Sequence, residues 1–244
     1  MKDRDDIVLV TAASDNHLYS LLQLINTIYA HERGLTVYVY DIGFSEESIQ
    51  KIKSFTQNYH TKTMNIILKK FDFEKWGLKR SDLKDFGWKA PIIHETYEEV
   101  GAKKIIWSDA GNMLVSNLDE LISFLNKNKI YSPTTGHSIR GETYGGLIHP
   151  DTVLKMDVGV SIDLPSRGGG VIGLDFSSDW ASNFLKEFVS FSLDKSVIAP
   201  EGSSKRNHRQ DQAVFSLLYE KYRAVYGFER PRARIGLDTH YDIE

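Results

Sequence analysis

The sequence contains no cysteine. This excludes disulfides, thiolate nucleophiles, cysteine-ligated zinc and iron–sulfur clusters, and it leaves histidine and carboxylate side chains as the protein ligands for a metal. The eight histidines are scattered, and those before the C-terminal segment show no metal-ligand spacing. The absence of cysteine does not fix the redox compartment.

Long apolar runs and a strong charge of one sign are also absent. No segment approaches 18 consecutive apolar residues, and the acidic start has neither the charge nor the apolar run of a signal peptide. The sequence therefore predicts a cytoplasmic protein whose contact with a membrane, if it has one, is peripheral. A formal net charge of -3 argues against a protein that coats nucleic acid.

Several common catalytic signatures are missing. There is no H-E-x-x-H, no G-x-S-x-G, no G-x-x-x-x-G-K-[ST] and no kinase motif set. The G-x-G-x-x-G fingerprint is absent from the first strand–helix turn, which disfavours an ordinary nicotinamide or flavin Rossmann domain. The main metalloprotease, hydrolase and phosphotransferase classes therefore lack a starting motif.

What is present is an ordinary globular composition with alternating strand and helix patterns. With 41% hydrophobic and 26% charged residues, the 244 residues are enough for one domain with a buried core. Strand patterns alternate with helical ones through the first half, which predicts an α/β fold with a mostly parallel central sheet and helices on both faces. Strands are predicted at 7–10, 35–40, 65–68, 104–108, 130–132 and 170–174. A first helix has apolar positions from 18 to 28 and stops at Gly34, and a second follows a cap at Ser45 and has apolar positions from 49 to 55. Further helices are predicted at 88–100, 149–156, 180–193 and 210–222.

We predict a single domain over residues 1–244. About 1–115 would form a regular strand–helix half, and about 116–244 would form a less regular half.

Asp109 stands out because it directly follows a buried strand and precedes small residues. A carboxylate in that place lies at the carboxyl edge of a parallel sheet, where ligands bind. A simpler alternative remains open, in which Asp109 only caps or turns the chain before a helix that starts near Leu118.

The segment 105–115 resembles the Asp-x-Asp region of GT-A fold glycosyltransferases of the glycogenin and bacterial galactosyltransferase type. In that family two acids hold Mn²⁺ or Mg²⁺ against the diphosphate of a sugar nucleotide. Asp109 and Ala110 match the pattern, and Gly111 stands where the second acid is expected.

Other blocks resemble the same family in the same order. The segment that ends the first strand is similar to its nucleotide loop, and Lys89 is similar to a basic residue that faces the donor. Gly168, Gly169 and Gly170 resemble the strand under the donor sugar. The resemblance assigns the nucleotide-binding role in the first loop to Thr11, Ala12, Ala13, Asp15, Asn16 and His17.

A last block, Asp211 and Gln212, resembles the Asp-Gln motif that opens a helix beside the reacting carbon. The resemblance implies that these two residues serve the transferred sugar. Each of these residues also has a simpler structural explanation as a cap, a solvated charge or a turn.

The resemblance implies Mn²⁺ or Mg²⁺ as cofactor, bound by Asp109 and by His240, the late histidine that parallels a C-terminal ligand of the family. Asn112 could add an amide oxygen. Because the motif supplies only one carboxylate, oxygens of the sugar nucleotide and water would have to complete the coordination shell of the metal. Alternatively, cations could neutralise the diphosphate, because residues 205–234 hold eight Lys or Arg against three acids.

Together these matches imply a hexosyltransferase that moves a sugar from a nucleoside diphosphate sugar, with UDP-sugars first among the donors, to a saccharide or other hydroxyl acceptor. They lean toward retention of configuration. The resemblance also implies that about 1–115 is the nucleotide-binding half of the domain and about 116–244 its acceptor-side half. Two alternatives stay open: a non-catalytic module that binds nucleotide sugars or glycans, and a nucleotidyltransferase. The latter usually begins with a Gly-rich basic loop, which residues 11–16 lack.

Overall fold

The structure is a computed structural model, and it describes residues 4–57, 64–134, 147–160, 165–231, 234–239 and 241–243. The strands are β1 (Ile7–Ser14), β2 (Leu35–Gly43), β3 (Met64–Lys70), β4 (Lys104–Ser108), β5 (Met113–Leu114), β6 (Ile130–Tyr131), β7 (Val171–Asp175) and β8 (Leu237–Asp238). The α-helices are α1 (Leu18–His31), α2 (Glu46–Gln57), α3 (Lys89–Val100), α4 (Asp119–Asn128), α5 (Pro150–Met156), α6 (Asp179–Leu193), α7 (Lys195–Ile198) and α8 (Gln210–Tyr226). Short 3-10 helices lie at Asp15–His17, Glu74–Trp76 and Arg80–Asp85.

The central sheet has six strands in the order β3-β2-β1-β4-β7-β6. The first four of these are parallel, whereas β7 runs antiparallel to both β4 and β6. The mostly parallel sheet is therefore as predicted. The direction of β7 was not predicted, because strand direction depends on long-range pairing that a local pattern does not contain. A separate two-stranded sheet pairs β5 with β8.

The sheet separates two hydrophobic cores. Val8 and Val10 of β1 belong to one core, and Ile7 and Leu9 belong to the other, as the alternation of side chains along a strand requires. The first core also contains apolar residues of α3, α6 and α8, and the second contains those of α1, α2 and α4. Both faces of the sheet are thus covered by helices, which confirms the predicted α/β class.

The end of β1 differs from its prediction. We expected a loop from residue 11 onward, but β1 continues to Ser14, because Thr11, Ala12 and Ala13 each pair with a residue of β2. The loop is replaced by the 3-10 turn Asp15–His17 that leads into α1. Among the described residues, none of the helices is both long and apolar enough to cross a membrane.

Candidate active site

Lys89 lies at the centre of the predicted site. It is the first residue of α3 and is only 2% exposed. Its Nζ lies 2.6 Å from Asp211 Oδ2 and 3.2 Å from Asp109 Oδ1, and it donates a hydrogen bond of 2.9 Å to the carbonyl oxygen of Gly169. One ammonium group therefore joins α3, the end of β4, the start of α8 and the segment before β7.

The charges in this cluster depend on one another. Burial alone would lower the pKa of Lys89, but Asp109 and Asp211 outweigh it, so the pKa lies above its usual value and the ammonium stays charged. Burial raises the pKa of Asp211, and Asp109 adds to this effect while Lys89 opposes it. Asp109 is 41% exposed, and its Oδ1 also accepts a hydrogen bond of 2.7 Å from Trp107 Nε1. Its position is thus fixed although it remains open to solvent.

Carboxylates approach the backbone of Gly169 and Gly170 closely. A Cβ on Gly169 would lie 2.9 Å from Asp211 Oδ2. The carbonyl oxygen of Gly170 accepts hydrogen bonds from the backbone N–H of Asp109 at 2.9 Å and from Asn112 Nδ2 at 2.7 Å. The amide of Asn112 is thus bonded to the protein through its nitrogen.

A cavity of about 610 Å³ lies beside the end of β1, and we call it the β1 cavity. It falls within the size range of small-molecule sites. The predicted residues that line it are Ala12, Ala13, Asn16, His17, Asp109, Ala110 and Gly111.

A second cavity of about 450 Å³ lies at the start of α8, and we call it the α8 cavity. Phe86, Asp109 and Lys205 line both cavities, so the two adjoin at these residues. The predicted residues that line the α8 cavity are Lys89, Asp109, Gly168, Gly169, Gly170, Asp211 and Gln212.

Two predicted nucleotide-binding residues lie elsewhere. Thr11 is fully buried inside β1 and lines neither cavity. The Asp15 carboxylate accepts hydrogen bonds from the backbone N–H of Ser45 at 2.8 Å and from its hydroxyl at 3.2 Å. The bond from the Ser45 backbone is the main cause of a lowered pKa for Asp15. Asp15 therefore connects the turn after β1 to the residue before α2, and it also lines neither cavity.

Gly111 is crowded by a carboxylate from the C-terminal segment. A Cβ on Gly111 would lie 2.7 Å from Asp242 Cγ, closer than real Cβ contacts occur. Backbone hydrogen bonds hold the segment 241–243 on both sides of Asp242. The Tyr241 N–H donates to the Gly111 carbonyl oxygen at 2.7 Å, and the Ile243 N–H donates to Ser20 Oγ at 2.8 Å. Asp242 lines the β1 cavity with Asp109. A carboxylate is thus present beside residue 111, although residue 111 is a glycine.

Sequence reasoning missed Asp242 and Phe86. Asp242 reaches the site only through the tertiary contacts of the C-terminal segment, so no local pattern marks it. Phe86 lines both cavities. Its backbone is left-handed (φ 55°), a conformation that is uncommon for a bulky residue. Such conformations cluster at functional sites.

The predicted metal ligand His240 lies outside the described residues. Within the described part of the chain, no group of three or more His, Asp or Glu side chains could hold a metal by itself.

Six of the eight basic residues at 205–234 fall into two groups. Lys221 pairs with Glu187, and Arg223 and Arg230 pair with Glu220, away from both cavities. In contrast, Lys205, Arg209 and Arg234 line the α8 cavity. The sequence identified the excess of basic residues at 205–234, and the structure shows which of them line the α8 cavity.

Comparison with solved structures identifies the fold. The galactosyltransferase LgtC, solved with donor and acceptor sugar analogues, has a TM-score of 0.59 and 14% identity, with 95% of this chain and 86% of that chain covered. Mouse xyloside xylosyltransferase 1 has a TM-score of 0.55 and 13% identity, with 95% and 96% covered. The bifunctional glycosyltransferase WbbM has a TM-score of 0.59 and 14% identity over 87% of this chain, which spans only 37% of the WbbM chain.

Sequence comparison adds little about function. A family model described as a protein of unknown function, DUF1647, matches residues 1–94. No curated protein matches the sequence. The structural likeness, at about one identical residue in seven, shows that the chain has the fold of GT-A glycosyltransferases.

Proposed function

We propose that this protein is a glycosyltransferase that moves a sugar from a nucleoside diphosphate sugar to a hydroxyl acceptor. The observation that carries the proposal is the cluster of Lys89, Asp109 and Asp211, which lies at the sheet edge where two cavities of suitable size adjoin. In open α/β sheets, ligands bind at this edge. The fold shared with known glycosyltransferases agrees with this assignment.

In this proposal the nucleoside occupies the β1 cavity, where Asn16 and His17 lie beside the small residues at the end of β1. The diphosphate lies where the cavities adjoin, next to Asp109 and Lys205. The sugar then enters the α8 cavity, lined by Asp211 and Gln212. This order places the bond that breaks near the shared residues.

The residues of the site fit a divalent metal ion that the donor helps to bind. Asp109 and Asp242 both line the β1 cavity, and the lack of a side chain at Gly111 leaves room for the Asp242 carboxylate. Mg²⁺ commonly binds to one or two carboxylates together with substrate phosphates and water, so a third acidic ligand is not required. When bound by Asp109 and Asp242, Mn²⁺ or Mg²⁺ would neutralise charge on the diphosphate as a Lewis acid.

The chain's own residues position the reactants. Lys89 acts as a positioning residue, because its ammonium is ion-paired with two carboxylates and hydrogen-bonded to a carbonyl oxygen, and the residue is only 2% exposed. Asp211, held by Lys89, places a carboxylate beside the sugar as positive charge develops on its ring, and Gln212 offers both a hydrogen-bond donor and an acceptor. Lys205 attracts the leaving diphosphate.

Ligand-induced stabilisation tests the binding half of this proposal. UDP-, GDP-, CMP- and dTDP-sugars, with and without Mn²⁺, should be compared by their effect on the melting temperature. A specific donor at about 100 times its Kd stabilises the folded state by about 2.7 kcal/mol. We expect one base to stand out, with UDP-sugars first, and Asp109→Asn to reduce the shift. No shift with any of the four would refute the proposal. Binding without turnover would instead favour the non-catalytic module.

A further inference from the structure

We propose that the acceptor carries an anionic group, a phosphate or a carboxylate, and that Arg209 and Arg234 bind it in the α8 cavity. This inference rests on the proposed function and extends it to the class of acceptor.

The first argument is an excess of positive charge in this cavity. Lys89, Lys205, Arg209 and Arg234 line it, against two carboxylates, Asp109 and Asp211. Both carboxylates are already paired with Lys89. Within the described part of the chain, Lys205, Arg209 and Arg234 form no ion pair, whereas their neighbours Lys221, Arg223 and Arg230 are all paired. Four cations against two carboxylates leave the described lining of the cavity with an excess of two positive charges. Lys205, Arg209 and Arg234 carry this excess without an ion-pair partner among the described residues.

The second argument is that Arg209 is held in place with part of its guanidinium unsatisfied. Its backbone N–H donates to the Leu147 carbonyl oxygen at 3.1 Å, and its own carbonyl oxygen accepts from the N–H groups of Gln212 and Ala213. Its Nε is buried and has no hydrogen-bond partner among the described residues. A buried donor without an acceptor is costly, and a carboxylate or phosphate oxygen would supply what is missing.

Two neighbouring features favour an anion in the same place. The hydroxyl of Thr239, a residue that is 9% exposed and lines the cavity, also has no partner among the described residues. The α8 helix, 17 residues long, begins at Gln210 in the lining of this cavity, so the positive end of its dipole lies there.

The third argument is location. Lys205 lines both cavities and therefore reaches the place proposed for the donor diphosphate. Arg209 and Arg234 line the α8 cavity but not the β1 cavity, and they share it with Gln212 on the side proposed for sugar transfer. An anion that these two arginines bind is separate from the diphosphate. The planar guanidinium matches phosphate and carboxylate groups with two parallel hydrogen bonds.

Calorimetric titration with inorganic phosphate tests this inference on protein first saturated with UDP and Mg²⁺. The UDP titration of the wild-type protein tests donor binding, which belongs to the proposed function. The phosphate titration tests the anion site, so the two proposals can fail separately. We expect phosphate to bind the UDP-saturated wild-type protein, and the double variant Arg209→Gln and Arg234→Gln to bind it at least tenfold more weakly. UDP affinity should fall less than threefold in the double variant.

The matched control is Arg206→Gln, which removes an exposed arginine three residues away that lines neither cavity. It should leave phosphate affinity within twofold of wild type. If the double variant does not fold, Arg209→Lys replaces it, since it keeps the charge but removes the planar fork, and it should weaken phosphate binding at least threefold.

Three results would overturn the inference. One is the absence of phosphate binding to the UDP-saturated wild-type protein, and another is an equal loss of affinity in the Arg206 control. The third is a tenfold or larger loss of UDP affinity in the double variant, which would assign both arginines to the donor diphosphate.

Discussion

The carboxylate of Asp242 lies in the space that a side chain on Gly111 would need, with its Cγ 2.7 Å from the position of a Cβ. The Asp-x-Asp pattern has its second acid at residue 111. In this chain residue 111 is glycine, and Asp242, from a distant part of the chain, supplies a carboxylate beside it. We predict that Asp242→Asn lowers the Mn²⁺ affinity of the UDP complex at least fivefold, as measured by electron paramagnetic resonance. Asp238→Asn, in the same segment but lining neither cavity, serves as the control.

A reciprocal exchange sharpens this test. Gly111→Asp alone should weaken Mn²⁺ binding, because its side chain collides with Asp242. The double variant Gly111→Asp and Asp242→Gly should recover binding toward the wild-type value, because it restores a carboxylate at residue 111 itself. Unchanged Mn²⁺ affinity in Asp242→Asn would show that this carboxylate is not a ligand.

Removal of Lys89 should destabilise the protein. Lys89→Met would leave Asp211, which is 6% exposed, without its partner, and loss of one member of a buried ion pair costs about 3–5 kcal/mol. Urea unfolding measures the change. Lys127→Met removes an exposed partner of Glu229 and should cost less than about 1 kcal/mol. A similar, small loss in both variants would mean that the Lys89 cluster does not hold the site together.

Lys205 is the cation shared by the two cavities, and we expect it to contribute to donor binding. Lys205→Gln should reduce UDP affinity about tenfold, which corresponds to about 1.4 kcal/mol, with Arg206→Gln as a control of the same charge change in the same loop. Calorimetric titration with UDP measures the UDP affinity of both variants. Equal affinities of the two variants would remove Lys205 from the diphosphate site.

His208 should make stability depend on pH. It is fully buried, its Nδ1 accepts a hydrogen bond from the backbone N–H of His149 at 3.2 Å, and its Nε2 lies 3.0 Å from the Ile198 carbonyl oxygen. Burial is the main cause of its lowered pKa, and His149 adds to it. The unfolded chain therefore takes up the proton first as the pH falls, and stability decreases below about pH 6.5 by at most about 1.4 kcal/mol per pH unit.

Urea unfolding between pH 8 and pH 5 checks this prediction. Full stability should be present above about pH 6.5, and His208→Asn should flatten the dependence because it removes the titrating group. An equally steep dependence in His208→Asn would assign the effect to other groups.

The sequence predicted the sheet, most helices and the chemistry-bearing segments because each of these leaves a local pattern. The buried strand before Asp109 and the periodic helix after Trp88 are examples. It also brought Lys89, Asp109, Gly169 and Asp211 into one site through a family resemblance, and the structure places them in contact.

Other features depend on long-range pairing and were not predictable. Thr11 was expected in a loop, but pairing with Val39 of β2 extends the strand and buries it. Asp242 reaches Gly111 only because the backbone of 241–243 bonds to Gly111 and Ser20, more than 100 and 200 residues earlier in the chain. The division of the basic run into paired and cavity-lining members likewise depends on where Glu187 and Glu220 lie.

Turnover of the donor tests the central claim most directly. UDP-sugars should be incubated with the protein and Mn²⁺, and the release of UDP and free sugar should be followed by NMR, with Asp109→Asn as the comparison. We predict slow hydrolysis of at least one UDP-sugar by the wild-type protein and a rate at least tenfold lower in Asp109→Asn. Hydrolysis that survives intact in the variant, or a wild-type protein that releases nothing from any UDP-sugar, would contradict this assignment.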